Sequence, residues 1–309
     1  MQPMISLCGD DCSLCPRHTA HADDELARVA ELWRELGWRD ATADPRSLAC
    51  EGCALGCACG GGSCTFGLWE CAQEHGLESC RDCAEWPCEK VAVVDDDTPA
   101  RREAFRRTAH PGEFEALDLA FCRKRKHIFS QLSLERLWQL FPIELSEPNP
   151  AWPAWYEEEA HKLADLLGDE VVRMSHIGST SVDGLVAKPI VDILLELAPG
   201  YDMDQAIALL EGADWVVMCR DDTDHSIDLN QGYTLRGFAE KVFHLHVKEP
   251  GDWDELVFRD WLRTHPEVAA DYVALKRELA AHYEHDRDAY TEAKGAFIRE
   301  QVTLARAEA

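Results

Sequence analysis

Long apolar runs, a surplus of basic residues and internal repeats are all missing from this 309-residue sequence. Without a long apolar run, neither a signal peptide nor a transmembrane span is expected, which predicts a cytoplasmic protein with no membrane contact. The formal net charge is −27, and because a phosphate backbone repels such a surface, the composition argues against bulk nucleic-acid binding. Two basic clusters, at residues 101–107 and 123–126, leave a local acidic partner open.

Cysteine is scarce over most of the chain and concentrated near its start. Of the 14 cysteines, only Cys122 and Cys219 lie after Cys88. In the reducing compartment expected here, such a cluster is more typical of metal binding than of disulfides. The distribution predicts three regions, which are a Cys-rich domain (1–94), a helical linker (95–142) and a second domain (143–309).

The spacing of the early cysteines is typical of structural zinc. A Cys-x2-Cys pair lets two thiolates reach one tetrahedral ion from a single turn, and a small domain with little apolar core needs such a staple. His18, His21 and His75 are alternative ligands. An iron–sulfur cluster is the competing assignment, because the first group, Cys-x3-Cys-x2-Cys, is also a cluster-binding spacing. The predicted zinc ligands are Cys8, Cys12, Cys15, Cys50, Cys53, Cys57, Cys59, Cys64, Cys71, Cys80, Cys83 and Cys88.

The hydrophobic pattern predicts an α/β (α+β) protein, with a mixed sheet followed by C-terminal helices. A breaker-rich linker is expected at Asp95–Pro99. Predicted helices cover residues 22–38, 101–108, 113–140, 155–167, 203–211 and most of 254–307. Predicted strands lie within 177–197, where a turn precedes a central strand, and at 215–218, 233–235 and 241–247.

The most informative stretch runs from His176 to Glu196. Gly178 permits close backbone approach, and Ser179 offers a hydroxyl and an amide at an apparent helix start, which suits a triphosphate. Asp192 lies in the apolar run Ile-Val-Asp-Ile-Leu-Leu, which indicates a strand covered on both faces. An unpaired carboxylate would be costly there, so a metal or a basic partner is expected.

This stretch resembles the signature of the GrpB family, whose members have a nucleotidyltransferase-like fold and mostly unassigned function. The segments Phe243–Val247, Phe258–Pro266, Tyr272–Lys276 and Tyr290–Ile298 are also similar to that family, so the resemblance spans roughly residues 143–300. In the nucleotidyltransferase superfamily, a Gly-Ser turn precedes a strand with an Asp-hydrophobic-Asp pair that binds two divalent metals.

The resemblance implies metal-assisted nucleotidyl transfer from a nucleoside triphosphate to an unidentified acceptor. Asp192 matches the first carboxylate, Leu194 stands at the second position, and Glu196 lies on the same strand face. Mg²⁺ or Mn²⁺ is implied at Asp192, completed by Glu196 or a histidine, with Lys188 neutralising phosphate charge. The implied catalytic residues are therefore Asp192, Glu196 and Lys188, and the implied nucleotide-binding residues are His176, Gly178, Ser179, Thr180, His244, His246, Arg259 and Lys294.

The Cys-rich region resembles a small family of unknown function that begins Cys-Gly-x2-Cys-x2-Cys. Cys8-Gly9, Glu51-Gly-Cys53 and Glu85-Trp-Pro-Cys88 carry this likeness. Two other functions stay open beside an enzyme. The protein could be a non-catalytic nucleotide-binding module whose Cys-rich region recruits a protein partner, which Leu194 favours, or a metal-stabilised or redox-responsive scaffold.

Overall fold

The computed structural model describes residues 3–38, 44–52, 66–110 and 112–308. The chain forms two compact units. Unit 1 comprises Met1–Ser133 with Thr234–Arg236, and unit 2 comprises Leu134–Tyr233 with Gly237–Ala309. Among the described residues, no helix is both long and apolar enough to cross a membrane.

Unit 1 is built from short helices. The predicted helix at residues 22–38 is confirmed as α2, whose buried residues Leu26, Val29 and Trp33 recur at helical spacing. Single 3-10 turns cover Cys12–Leu14, Pro45–Leu48 and Cys80–Asp82. The helices are α1 (Pro16–Thr19), α2 (Asp23–Glu35), α3 (Leu68–Glu74), α4 (Glu89–Asp96), α5 (Thr98–Thr108), α6 (Glu113–Phe121) and α7 (Lys124–Phe129).

Two predictions for this unit were wrong in detail. The expected linker at Asp95–Pro99 is helical, because α4 runs to Asp96 and α5 begins at Thr98. Pro99 lies in the first turn of α5, where its missing N–H leaves no helical hydrogen bond unmade. The single helix predicted at 113–140 is broken into α6, α7 and a helix of unit 2.

Several residues of the two basic clusters form ion pairs within unit 1. Arg102 is buried and its Nε donates to Asp118 at 2.6 Å. Lys124 is fully buried against Asp10, and Arg125 pairs with Asp95 at 3.1 Å. Because buried charges must be paired, these arginines and lysines stabilise the helical packing and offer little charge to an acidic partner.

Unit 2 contains a mixed sheet with strand order β1-β2-β5-β4-β3. Strand β2 pairs antiparallel with β1 and parallel with β5, and β3 pairs antiparallel with β4. The sequence did not predict β1, whose first half is exposed, or most of β4. The strands are β1 (Val171–Ile177), β2 (Val191–Leu197), β3 (Val216–Asp221), β4 (Ser226–Thr234) and β5 (Gly237–Lys248).

The helices of unit 2 cover the sheet and flank the Gly-Ser turn. Two of them pack on the sheet face that carries Val191, Ile193 and Leu195. The last three pack against the turn segment through Val182 and Leu185. The predicted mixed sheet with C-terminal helices is thus confirmed. The helices are α8 (Leu134–Leu140), α9 (Trp152–Leu167), α10 (Met203–Gly212), α11 (Asp254–Thr264), α12 (Pro266–His282) and α13 (Arg287–Glu308), with 3-10 turns at Gly168–Glu170 and Ser179–Ser181.

Candidate functional site

A cavity of about 1260 Å³ in unit 2 contains most of the predicted site. Strand β2 places Asp192 beside His244 of β5, because the two strands are parallel and in register at these residues. The Gly-Ser turn and helices α11 to α13 complete the walls. The predicted residues that line the cavity are Gly178, Ser179, Lys188, Asp192, His244, His246, Arg259 and Lys294.

The Gly-Ser turn requires glycine because the Asp192 carboxylate lies against it. Gly178 has φ +67°, a left-handed conformation that L side chains rarely adopt. A Cβ atom at this position would collide with Oδ2 of Asp192. The residue therefore allows the turn and the carboxylate to approach each other more closely than any other residue would permit.

The ionised state of Asp192 is held by two histidines. His244 Nδ1 lies 3.1 Å from its Oδ1, and His246 Nε2 lies 3.9 Å from the same atom. Burial opposes the charge, but the hydrogen bonds to His244 and His246 keep the pKa of Asp192 well below its ordinary value. Asp192 is therefore a carboxylate at neutral pH.

The protonation of His244 follows from its neighbours. Arg287 donates from Nη2 to His244 Nε2 at 2.9 Å, and a guanidinium can only donate, so Nε2 is the unprotonated nitrogen. The Tyr233 hydroxyl donates to the same nitrogen at 2.8 Å and accepts from Arg287 at 2.6 Å. Nδ1 then carries the proton, and its N–H donates a hydrogen bond to Asp192. Burial lowers the pKa of His244 to about 4, in agreement with this neutral form.

His246 has the opposite electrostatic setting. Its Nδ1 lies 2.7 Å from Asp228 of β4, so the imidazole stands between two carboxylates. Although burial works against the charge, hydrogen bonds to Asp192 and Asp228 raise the pKa of His246 to about 9. Among the described residues, one group of three metal-ligating side chains has its ligand atoms within 4.8 Å of one another, namely Asp192, His244 and His246.

Four cations that have no carboxylate partner among the described residues also line the cavity, namely Lys188, Lys276, Lys294 and Arg287. Lys188 and Lys294 lie over the Tyr290 ring, with their Nζ atoms 5.6 and 4.3 Å from its centroid. Burial, then the neighbouring cations, lowers the pKa of Lys188 to about 7, and burial lowers the pKa of Lys294 to about 8. Within the described part of the chain, neither lysine forms an ion pair with a carboxylate.

Lys276 is almost fully buried beside the Gly-Ser turn. Its Nζ donates to Ser179 Oγ at 3.0 Å and to the carbonyl of Val186. Burial, then Lys294, lowers the pKa of Lys276 to about 7. The sequence contains a signal for these lysines that composition alone does not give. A Tyr-x3-Lys spacing occurs in both α12 and α13, and in each helix the lysine covers the tyrosine ring one turn away.

Other predicted residues lie behind the turn or along the strand. Glu196 is fully buried in an ion pair with Arg173 and accepts from the backbone N–H of Gly251 at 2.9 Å, outside the cavity lining. Thr180 donates its hydroxyl to the Ile190 carbonyl, so it accepts from His176 Nε2 at 3.0 Å. These contacts fix the turn and strand from behind.

Arg259 lines the cavity and also stabilises the segment before the Gly-Ser turn. Its guanidinium donates to the His176 carbonyl at 3.1 Å and to the Asp260 carboxylate at 2.7 Å. The residues that the sequence analysis missed come from three elements, β4, α12 and α13, and are Asp228, Tyr233, Lys276 and Arg287. Apart from the Tyr-x3-Lys spacing at Lys276, only their packing around Asp192 and Ser179 reveals them.

The predicted zinc ligands of unit 1 lie in several settings. Cys8 donates to the Asp10 carboxylate at 3.3 Å, and burial, then the Asp10 charge, raises the pKa of its thiol to about 11. Gly52, at φ +105°, approaches Cys12 closely and donates its N–H to Cys50 Sγ at 3.3 Å. Cys71, Cys80, Cys83 and Cys88 line one small cavity. Four further predicted ligands, Cys53, Cys57, Cys59 and Cys64, lie outside the described residues.

Comparison with known proteins finds family matches in two parts of the chain. Residues 4–93 match a family described as a protein of unknown function (DUF3795). A UPF0157 protein of Pseudomonas aeruginosa is 38% identical over 50% of this chain and 64% of its own length, so the chain spans less than two thirds of that relative. A UPF0157 protein of Halalkalibacterium halodurans is 35% identical over 53% of this chain and 83% of its own.

Two further likenesses each cover about half of the chain. A protein of Mycolicibacterium paratuberculosis named dephospho-CoA kinase is 25% identical over 52% of this chain and 45% of its own length. The crystal structure of the conserved protein GrpB from Enterococcus faecalis is 29% identical, covers 53% of this chain and 98% of that chain, and superposes with a TM-score of 0.46. The profile of the GrpB protein family matches residues 142–303, which is more than half of the sequence. The chain therefore belongs to the GrpB family.

Proposed function

We propose that unit 2 binds a nucleoside triphosphate with a divalent metal ion and transfers its nucleotidyl group to an acceptor hydroxyl or amine. One observation carries the proposal, which is that Asp192, ionised beside two histidines, lines one cavity together with four cations that form no ion pair with a carboxylate among the described residues. Asp192 supplies a metal ligand, while Lys188, Lys276, Lys294 and Arg287 supply positive charge. A metal–triphosphate complex matches both features, because its metal ion would bind Asp192 and its phosphates would bind the cations.

The donor set beside Asp192 fits Mg²⁺ or Mn²⁺. Carboxylate oxygens of Asp192 and Asp228 are the hard ligands that these ions prefer, and His246 lies between them. His244 is a positioning residue, because its Nδ1–H is already committed to Asp192 Oδ1. A bound divalent ion would polarise the α-phosphoryl group and offset the charge of the leaving pyrophosphate.

The phosphates would be held by the four cations that line the cavity without a carboxylate partner among the described residues. Ser179 offers its hydroxyl at the turn, with Lys276 behind it at 3.0 Å. Lys188 and Lys294 lack carboxylate partners within the described residues, so a polyphosphate would neutralise charges that are otherwise buried at a cost. Both lysines contact the Tyr290 ring, which limits where their ammonium groups can point and would orient the phosphate chain for in-line attack on the α-phosphorus.

Nucleotide binding without transfer is the second candidate. The second carboxylate of the superfamily pair is replaced by Leu194, which is fully buried and pairs in register with His246. Asp228 on β4, which contacts His246 at 2.7 Å, is then the acidic group that would replace the missing ligand. The transfer activity depends on that replacement, whereas nucleotide binding depends only on Asp192 and the cations.

The proposal is tested by calorimetric titration of wild-type protein with ATP, GTP, CTP, UTP and dephospho-CoA, each with Mg²⁺ or Mn²⁺. Dephospho-CoA is included because one relative is named dephospho-CoA kinase. Binding of a triphosphate that strengthens with metal, followed by release of pyrophosphate on adding an acceptor, supports transfer. Binding without turnover supports the second candidate. Failure of every ligand to bind a folded protein contradicts both and favours a scaffold.

A pair of His244 variants tests whether this residue positions Asp192 or ligates the metal. In His244→Asn the side-chain amide lies close to the position of Nδ1 and can still donate to Asp192, so we expect Mn²⁺ affinity near the wild-type value. His244→Ala leaves Asp192 without this donor and is expected to weaken Mn²⁺ binding about 10-fold. Titration with Mn²⁺ distinguishes the roles, because equal large losses in both variants would identify His244 as a direct ligand.

Triphosphate binding in the absence of divalent metal is expected to take up protons. The cavity is lined by Lys188, Lys276, Lys294, Arg287 and the Asp192–His246 pair, and by further charged groups of which Asp228, Lys248 and Arg259 are already paired. Because burial lowers the lysine pKa values to about 7 to 8, part of each lysine is neutral near pH 8, and a bound polyanion raises those pKa values. Affinity should fall as pH rises through this range. Calorimetry in buffers of different ionisation enthalpy measures the uptake, and net proton release would contradict the assignment.

A further inference from the structure

We propose that Cys71, Cys80, Cys83 and Cys88 of unit 1 together bind one divalent ion, with zinc as the expected metal. All four side chains line the same cavity, whose volume is about 20 Å³. A space of this size holds a single water-sized body, which is also the size of one ion. The site is independent of the nucleotide function proposed above, because every residue in it belongs to unit 1.

The four thiols come from three separate local structures. Cys80 begins a 3-10 turn in which the Cys83 N–H donates to the Cys80 carbonyl at 3.1 Å, so the two side chains of this Cys-x2-Cys pair leave one tight turn. Cys71 lies in α3, and Cys88 is the residue before α4. An ion shared by them would join two helices of seven and eight residues, which are too short to be stable in isolation.

His75 also lines this cavity and is oriented by Cys71. Its Nδ1 is 2.8 Å from the Cys71 carbonyl and 3.8 Å from Cys71 Sγ. A carbonyl can only accept, so Nδ1 carries the proton and donates it in a hydrogen bond to that carbonyl, with the more distant sulfur a weak second acceptor. Four thiolates already fill a tetrahedral zinc shell, so the geometry assigns His75 as a hydrogen-bonding neighbour.

The rest of the cavity explains why a cation is needed. Its other walls are apolar and include Leu68, Ala72, Trp86 and Val91. Thiolates in such surroundings are costly unless a metal compensates their charge. Among the described residues, only the Asp192 group has three ligand atoms within 4.8 Å of one another, so the four sulfurs must close in to reach a Zn–S distance of about 2.3 Å. Ion binding should therefore tighten this part of unit 1.

Alkylation of the wild-type protein tests the grouping directly. The protein, kept in a phosphine reductant with one or more equivalents of Zn²⁺, is treated with iodoacetamide, and each cysteine is followed by peptide mass spectrometry. We expect Cys71, Cys80, Cys83 and Cys88 to be protected together and to become reactive together at one chelator concentration. Cys219 is exposed and serves as the reference that reacts throughout. Independent reaction of the four thiols, or no effect of the chelator, would contradict a shared ion.

A variant pair provides the second measurement. Cys71→Ser combined with Cys88→Ser is expected to lower the bound zinc, measured by elemental mass spectrometry, by one equivalent per chain. Cys219→Ser, outside the site, should leave the metal content unchanged. If the double variant keeps the wild-type zinc content, or if intact mass spectrometry of the unreduced protein finds these cysteines joined in disulfides, the proposal is wrong. Should the double variant fail to fold, the alkylation of wild-type protein still decides.

Discussion

Asp192→Asn is expected to weaken Mn²⁺ affinity, and with it metal-dependent triphosphate binding, by about 100-fold or more, equivalent to about 2.7 kcal/mol. The substitution keeps the volume and the Oδ1 acceptor for His244, but it removes the negative charge that a hard cation requires. The fold should be preserved, because the neutral amide is cheaper to bury than the carboxylate. Titration of Mn²⁺ into wild type and variant measures the difference.

Asp288→Asn is the matched control for that experiment. Asp288 lines the same cavity and undergoes the same change of charge, but it lies on α13, apart from the two histidines. We expect less than a ~3-fold change in Mn²⁺ affinity, since an exposed charge acts mainly at long range and is screened. Equal losses in Asp192→Asn and Asp288→Asn would mean that the cavity attracts cations by its general charge, without a ligand at Asp192.

The second large effect is expected for the lysines that flank Tyr290. The double substitution Lys188→Gln with Lys294→Gln should weaken triphosphate binding by about 100-fold, since each charge-assisted hydrogen bond to a phosphate contributes about 1.5–3 kcal/mol. The same variant should unfold at a higher temperature than wild type. Both lysines have pKa values lowered by burial, so the folded protein holds their protons less well than the unfolded chain at neutral pH, and removing them relieves that cost.

Lys248→Gln separates this effect from a general loss of positive charge. Lys248 also lines the cavity, but its ammonium pairs with Glu255 at 2.7 Å and lies over the Trp253 ring. Because its charge is already compensated, we expect a change of less than ~3-fold in triphosphate affinity. If only the Lys188 and Lys294 variant both melts at a higher temperature and loses triphosphate affinity, these two lysines serve ligand binding at a cost in stability. A fall in both would indicate a structural role.

Local patterns predicted the central strand and its turn, because each depends on adjacent residues. The apolar run around Asp192 has the burial expected of a strand covered on both faces, and Gly178 has the positive φ that its role requires. The strand predicted at 241–247 is confirmed within β5, but its register with β2 was not predicted. Such local features can be predicted from the sequence, because they are set by side-chain alternation and backbone sterics.

The partners of Asp192 could not be predicted in the same way. Glu196 shares its strand face by alternation, but four residues of strand cover about 13 Å, and Arg173 of β1 pairs with it there. The acidic group near His246 is instead Asp228, which comes from β4, a strand that was mostly missed. Arg287 fixes the tautomer of His244 from a helix 43 residues away in the chain. Contacts of this kind follow from tertiary packing, which spacing does not encode.

Metal–phosphate contact in the cavity of unit 2 is the central claim, and pulsed electron paramagnetic resonance of bound Mn²⁺ tests it most directly. With wild-type protein and a triphosphate that binds, we expect ³¹P hyperfine couplings from the phosphates together with a nitrogen coupling from His246, whose Nε2 would bind the ion in place of its proton. The nitrogen coupling should be lost in Asp192→Asn. Such a spectrum places metal and phosphate at one protein site. A spectrum identical to that of the free Mn²⁺–triphosphate complex, with no protein nitrogen, would contradict the account.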